Sequence, residues 1–236
     1  AADCIRMITD SERKINTKIQ GYKKFGLRDE WVDEYFIDPV EFWKDNTLGT
    51  AQVDSFKAWM RDAEITDQKN NLTELGALMR TIYAENPSLF WEIVFINLSY
   101  NSYIVKWFCN NIKPNQVYNG KMIKEEISNE GFSGSITTVG NAAIALCDMM
   151  KKTPVGDECL QGMDLGREGL RRSEYDDVSI EAVAYSIYKF AKERELSMLR
   201  VSDMYNNEAE HGIFKEFGTS KQDLLRKLRT ISAESN

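Results

Sequence analysis

The sequence has a single histidine in 236 residues, which excludes every site that needs two imidazoles, including H-E-x-x-H zinc hydrolases and most histidine-based metal centres. Cysteine is also thin. Cys4, Cys109, Cys147 and Cys159 lie far apart, with no C-x-x-C to clamp zinc, hold a cluster or run thiol exchange. Reduced thiols in a cytoplasmic protein are the expectation, with no metal and no cofactor. Only 4 prolines and 14 glycines interrupt the chain, and 42% hydrophobic with 28% charged residues excludes disorder as the main state. Positive charge is in deficit: 30 basic against 37 acidic residues give a formal charge of −7, so no global field draws the protein to nucleic acid or anionic lipid. Any such contact must come from a local patch. A membrane span is also missing. The most apolar stretch, Leu89 to Cys109, is interrupted by Glu92, Asn97, Ser99, Asn101, Ser102 and Lys106, and is assigned to the core. The chain starts Ala-Ala-Asp-Cys without a methionine and ends Ser-Ala-Glu-Ser-Asn, so a fragment of a longer protein is expected.

What is present is helical periodicity. Apolar stripes at 3.6-residue spacing recur along the chain while strand-like alternation is nearly absent. The expectation is a mainly α protein of two helical lobes, residues 1–115 and 116–236, containing winged helix-turn-helix-like units with at most short β-hairpins; the boundary falls at Lys113-Pro114-Asn115-Gln116. Residues 11–28, with Ile15 and Ile19 among Arg13, Lys14, Lys18, Lys23, Lys24 and Arg28, suggest a short entering helix with a solvated basic face. Trp31, Val32, Tyr35 and Phe36 form a stripe that should stop before Pro39. Val53, Phe56, Trp59, Met60 and Ala63 form another, with Gly49 as a turn and Thr50 as its cap. A polar connection follows, and a further helix starts at Leu72; this is the winged-helix order over about 45–85. The break in the apolar stretch is expected at Asn97 and Ser99 to Ser102, whose side chains compete for backbone hydrogen bonds.

In the second half, Met122, Ile123 and Ile127 mark an amphipathic helix, then the flexible turn Gly131 to Ser135. Val139, Ala142, Ala143, Leu146, Cys147 and Met150 mark another, capped by Thr137 or Thr138 and ended at Thr153-Pro154, with Cys147 as a small buried hydrophobe. Ile180, Val183, Ala184, Ile187, Tyr188 and Ala191 form a stripe, and the last helix has Ser220-x-x-Asp223 as a capping box and Leu224, Leu225, Leu228 and Ile231 as its apolar face.

No catalytic constellation emerges. His211, beside Glu208 and Glu210, is the one imidazole suited to acid-base chemistry, and reads as a helix-terminal or surface residue. Arg167, Arg171 and Arg172 among glycines are candidates for phosphate or ligand binding, although their spacing fits neither phosphate-loop signature and a plain surface loop is the competing reading. The candidate nucleic-acid contacts are Lys57 and Arg61 in the helix-turn-helix unit, opposed by Asp54 and Asp62, and Lys221, Arg226, Lys227 and Arg229, expected on the solvated face of the last helix.

Three stretches carry a family resemblance: L-G-T-A-Q-V-D-S-F-K-A-W-M-R-D-A at 48–63 with L-T-E-L-G at 72–76, F-I-N-L-S-Y-N-S at 95–102, and S-K-Q-D-L-L-R-K-L at 220–228. They resemble the C-terminal helical region of phosphoadenosine phosphosulfate (PAPS) reductase-like proteins, and a similar domain found beside DNA phosphorothioation and phage-defence genes. In that family the adenylyl-sulfate chemistry belongs to a separate nucleotide-binding domain with a Ser-Gly-Gly-x-Asp-Ser loop, which these residues lack. The resemblance implies a non-catalytic accessory module whose partner is that nucleotide-binding domain, in the same chain or complex, and it carries no catalytic residue onto this sequence. The alternatives are part of an enzyme reducing or transferring activated sulfate, and a DNA-binding helix-turn-helix protein of a defence system.

Overall fold

The computed structural model describes residue 19, residues 21–132 and residues 134–234; Cys4, Arg13, Lys14, Ile15, Lys18 and Ser133 lie outside the described residues. Among the described residues the protein is mainly helical, with one small antiparallel sheet. Of the basic segment that suggested an entering helix, residues 11–18 and 20 lie outside the described residues; Ile19 is helical and residues 21–24 form a turn. Helix α1 (Asp29–Ile37) buries the Trp31, Val32, Tyr35 and Phe36 stripe and ends at Asp38. The Asp38 carboxylate accepts from the Val40 and Glu41 N–H groups, so Pro39, with its fixed φ, opens a second short helix, α2 (Pro39–Phe42).

Helix α3 (Thr50–Asp62) is preceded by Gly49, which takes the cap position expected for Thr50; the Gln52 side chain reaches back to accept the Gly49 N–H at 2.9 Å. Helix α4 (Glu74–Glu85) is capped by Thr73, whose hydroxyl accepts from the Gly76 N–H at 2.8 Å and donates to the Glu64 carbonyl at 2.7 Å. The connection between them closes with a single antiparallel bridge, Thr66 to Leu72.

Helix α5 (Pro87–Asn101) is apolar around nearly its whole circumference because it is buried all round. It breaks at Ser102, which is extended and caps α6 (Tyr103–Asn111). No helix among the described residues is long and apolar enough to cross a membrane. The chain continues through β1 (Val117–Tyr118), α7 (Gly120–Asn129) and α8 (Ile136–Lys152), whose cap is Ser135 rather than Thr137 or Thr138. Then come α9 (Pro154–Asp157), β2 (Met163–Asp164), a 3₁₀ turn (Gly166–Glu168) and β3 (Leu170–Arg171). The sheet order is β1-β3-β2, with Arg171 opposite both Val117 and Met163. Helices α10 (Ile180–Glu193), α11 (Val201–Met204), α12 (Ile213–Phe217) and α13 (Lys221–Glu234) complete the chain.

One continuous apolar core runs from Ile19 to Leu224, and residues on both sides of 113–118 belong to it. Two helical faces differ from their sequence stripes. In α10 the buried positions are Ala182, Val183, Ser186 and Phe190, while Ala184 and Tyr188 face out, because Ser186 is drawn inward by the Glu216 carboxyl. In α13 Leu225 is 38% exposed and Lys227 only 9%, because Lys227 is held by Asp223 and by the Asp176 carbonyl.

Gly76 shows why one small residue sets local geometry. A Cβ there would fall 2.1 Å from the Ile65 carbonyl oxygen, a backbone atom that no rotamer change moves. Gly76→Ala is expected to cost about 2 kcal/mol or more in urea unfolding, within the range for overpacked cores; an unchanged midpoint would show that α4 does not sit against residue 65.

Candidate functional site

The most highly connected side chain is Arg172, 1% exposed at the end of the sheet. Its guanidinium donates to Gln161 Oε1 (2.9 Å) and to the main-chain carbonyls of Cys109, Ile112, Lys215 and Glu216. Its own backbone pins the turn at 113–116, with Asn115 N–H donating to the Arg172 carbonyl (2.7 Å) and Arg172 N–H to the Gln116 carbonyl (3.0 Å). These side-chain acceptors are carbonyls at the C-terminal ends of α6 and α12, which lack intrahelical partners, so a single fork satisfies two helix ends. Every guanidinium nitrogen is engaged, and Arg172 is therefore not the phosphate ligand expected from sequence. Arg171 points to the opposite face of the strand, near Met163 Sδ, and Arg167 is exposed on the 3₁₀ turn. The three arginines do not converge.

A second polar cluster is built from the F-I-N-L-S-Y-N-S run on α5. Asn97 Nδ2 donates to the Ala63 carbonyl (3.0 Å), while Asn97 Oδ1 accepts from Tyr185 Oη (2.7 Å) and Lys189 Nζ (2.6 Å). Asn101 Nδ2 donates to the Asp62 carbonyl and to Glu64 Oε1, and Lys189 also pairs with Glu64. Tyr100 stacks on His211 with ring centroids 3.9 Å apart. Two of the runs that suggested a family thus meet here, the end of α3 supplying the carbonyls and α5 the amides. Their polar residues clamp α10 against α5. Lys189, Tyr185, Ser186 and Glu216 escaped the sequence reading; the available signal was a lysine and a serine inside an otherwise apolar helical stripe.

His211 is 2% exposed, not a surface residue, and burial followed by the Lys106 charge lowers it to about 3, so it is neutral near pH 7. Burial raises the carboxyls of Glu92 and Glu216 to about 7. Glu92 accepts from Ser179 N–H (3.1 Å) and Tyr175 Oη (3.0 Å), and Glu216 from Ser186 Oγ (2.6 Å). Burial also pushes the Cys109 thiol up to about 12 and the Cys147 thiol to about 11, which leaves both as poor nucleophiles. Among the described residues no group of three or more His, Cys, Asp or Glu side chains stands together to hold a metal ion.

The basic candidates are dispersed. Lys57 lies over the Trp43 ring at 5.4 Å and Arg61 is half-buried. On α13 Lys221, Arg226 and Arg229 are exposed, with Arg226 paired to Asp223, whereas Lys227 lies on the inner face. The expected capping box is half formed: Ser220 Oγ accepts from Asp223 N–H, but Ser220 N–H is taken by Asp176 because the Asp223 carboxylate is occupied by Arg226 and Lys227.

No family model, curated protein or solved structure matches the chain.

A groove of about 770 Å³ lies between α1 and α4, with Phe36, Leu72 and Tyr83 among its lining residues and Asp33 and Glu85 contributing acidic groups. Ile37, which lines it, is 74% exposed. Arg80, the basic residue of the groove, donates to the Ile37 carbonyl (2.9 Å).

Replacing Arg172 by Met leaves buried carbonyls unpaired and is expected to cost about 3 kcal/mol or more in chemical denaturation; a loss below about 1 kcal/mol would show that water replaces the fork. The buried titrating groups predict a pH slope. Glu92 and Glu216, raised from 4.5 to about 7, contribute stability at low pH that is lost as pH rises through the folded value. His211, lowered from 6.5 to about 3, costs stability as pH falls below 6.5. Near pH 5.5 the folded chain holds two carboxyl protons where the unfolded chain holds one on the imidazole, so stability falls as pH rises between about 5 and 6, by about 1.4 kcal/mol per unit for one net proton. Glu216→Gln should flatten that slope. Urea midpoints across this range check both statements, and a wild-type slope of opposite sign overturns them.

Proposed function

We propose that this chain is a non-catalytic interaction module that docks a nucleotide-binding domain of the PAPS reductase-like type through the α1–α4 groove. The observation that carries the reading is the groove itself, where Ile37 stands bare in the lining and Asp33 and Glu85 have no basic ion-pair partner among the described residues. Its chemistry suits an apolar segment flanked by basic residues. The resemblance runs support the same assignment: the L-T-E-L-G segment opens α4, Leu72 lines the groove, and Gly76 seats the helix against residue 65. The amides of Asn97 and Asn101 within those runs are consumed in clamping helices together, and burial keeps the Cys109 thiol and the His211 imidazole neutral near pH 7, which favours a scaffold over a reaction centre.

Titration of the purified chain with the nucleotide-binding domain, followed by calorimetry, tests this. A complex is expected, and the variant Ile37→Asp should weaken it at least about tenfold while leaving thermal stability unchanged, since an exposed aliphatic group is worth about 1.5 kcal/mol or more when buried. Absence of a complex, or equal affinity of the variant, overturns the docking assignment; turnover of adenylyl sulfates by the chain alone overturns its non-catalytic character.

A further inference from the structure

Helix α8 carries a second apolar stripe beside its core face. Ile136, Gly140 and Ile144 recur every four residues, and Ile136 and Ile144 are 63% and 50% exposed, while Val139, Ala142, Ala143 and Leu146 of the same helix are buried. With Asn141 they floor a groove of about 420 Å³, whose wall is the start of α7 with Lys121 and Lys124. The two helices run antiparallel there: a Cβ at Gly120 would lie 3.8 Å from the Ala143 carbonyl, and one at Gly140 would lie 3.4 Å from Lys124 Cδ. Asn141 also lines an adjoining hollow of about 210 Å³ together with Ile19 and Lys23. Lysines therefore border the floor from α7 and from the chain at residue 23. No aspartate or glutamate lines either hollow, in a protein whose net charge is −7. Lys121 has Glu125 beside it at 3.9 Å, an exposed pair worth little, and neither Lys23 nor Lys124 forms an ion pair among the described residues. Glu126, also on α7, lies outside the lining. The carboxylate of α8, Asp148, is committed to Arg28 and to the Gly26 N–H.

We propose that this trough docks an acidic amphipathic helix of a partner protein, with its apolar face on Ile136 and Ile144 and its carboxylates against Lys23, Lys121 and Lys124. Ile136 and Ile144 stand about 12 Å apart along α8, so one helix laid along it reaches both with apolar residues seven or eight positions apart. Gly140, without a side chain, keeps the floor between them low. Basic rims beside an apolar floor are the complement of an apolar stripe flanked by carboxylates, and such matching selects the partner. Residues 1–18 of the chain itself carry Arg6, Arg13, Lys14 and Lys18 against Asp3, Asp10 and Glu12, so they lack the negative charge that the rims select. The site is separate from the α1–α4 groove and does not depend on what docks there.

Fluorescence anisotropy of a labelled synthetic peptide of about 18 residues, with leucine on one helical face and glutamate on both flanks, titrated with the full chain, tests the site. Saturable binding is expected, weakening as salt rises because the rim charges are exposed and screened. Lys121→Glu with Lys124→Glu should weaken it at least about tenfold, and so should Ile136→Asp with Ile144→Asp. A peptide with lysine in place of every glutamate should bind at least about tenfold more weakly than the acidic one. Thermal transitions check that the variants fold. A second readout needs no variant: in methyl NMR spectra of the wild-type chain the acidic peptide should shift the Ile136 and Ile144 signals. No saturable binding, equal binding of the lysine peptide, equal affinity of either folded variant, or shifts that spare both isoleucine methyls overturns the proposal. Self-association of the chain that Ile136→Asp abolishes, or tighter binding of a peptide of residues 1–18, assigns the trough to another occupant and overturns it as well.

Discussion

The Arg172 guanidinium is the contact on which the second half of the molecule depends. Four carbonyls and one amide converge on it from α6, the residue after α6, the loop after α9, and α12. Helix ends expose carbonyls that must find donors, and α6 and α12 both end inside the protein where water is scarce. A planar fork with five N–H groups is the one side chain able to meet several of them at once. Its strand neighbour Leu170 is buried in the core, so the sheet, small as it is, serves to aim this residue.

The clamp around Asn97 does for the first half what Arg172 does for the second. Asn97 and Asn101 bind the last carbonyls beyond α3, and through Tyr185 and Lys189 the same amide reaches α10. Buried polar contacts of this kind fix the relative placement of helices, which apolar packing alone leaves free to slide. Between the two sites lie Glu216 and His211, held neutral or near neutrality by burial, so that several ionisable groups share the interior without opposing net charges.

Much of the helical order is legible in the sequence because the determinants are local. The α1 stripe and its stop at Pro39, the α3 stripe, the break of the apolar stretch at Ser102 and the stop at Thr153-Pro154 all follow from 3.6-residue spacing, capping hydroxyls and the steric rule for residues before proline. Cap identity was less legible where two candidates stood side by side: Gly49 with Gln52 replaced Thr50, and Ser135 replaced Thr137 or Thr138. The α10 and α13 faces were misread for one reason. Ser186 and Lys227 look solvent-directed until their partners Glu216 and Asp176 are brought beside them from distant segments.

The sequence by itself determined the class of the fold and the chemistry it lacks: helical periodicity needs only neighbours, and one histidine with scattered cysteines cannot build the sites that need pairs. Tertiary structure alone decided which charges are surface and which are core. Arg172 and Lys227 read as exposed basic residues in a linear scan, yet both donate to main-chain carbonyls from distant segments, which carry no sequence signature at all. The α1–α4 groove was equally invisible, because the two helices come together only through a core that draws on residues from Ile19 to Leu224.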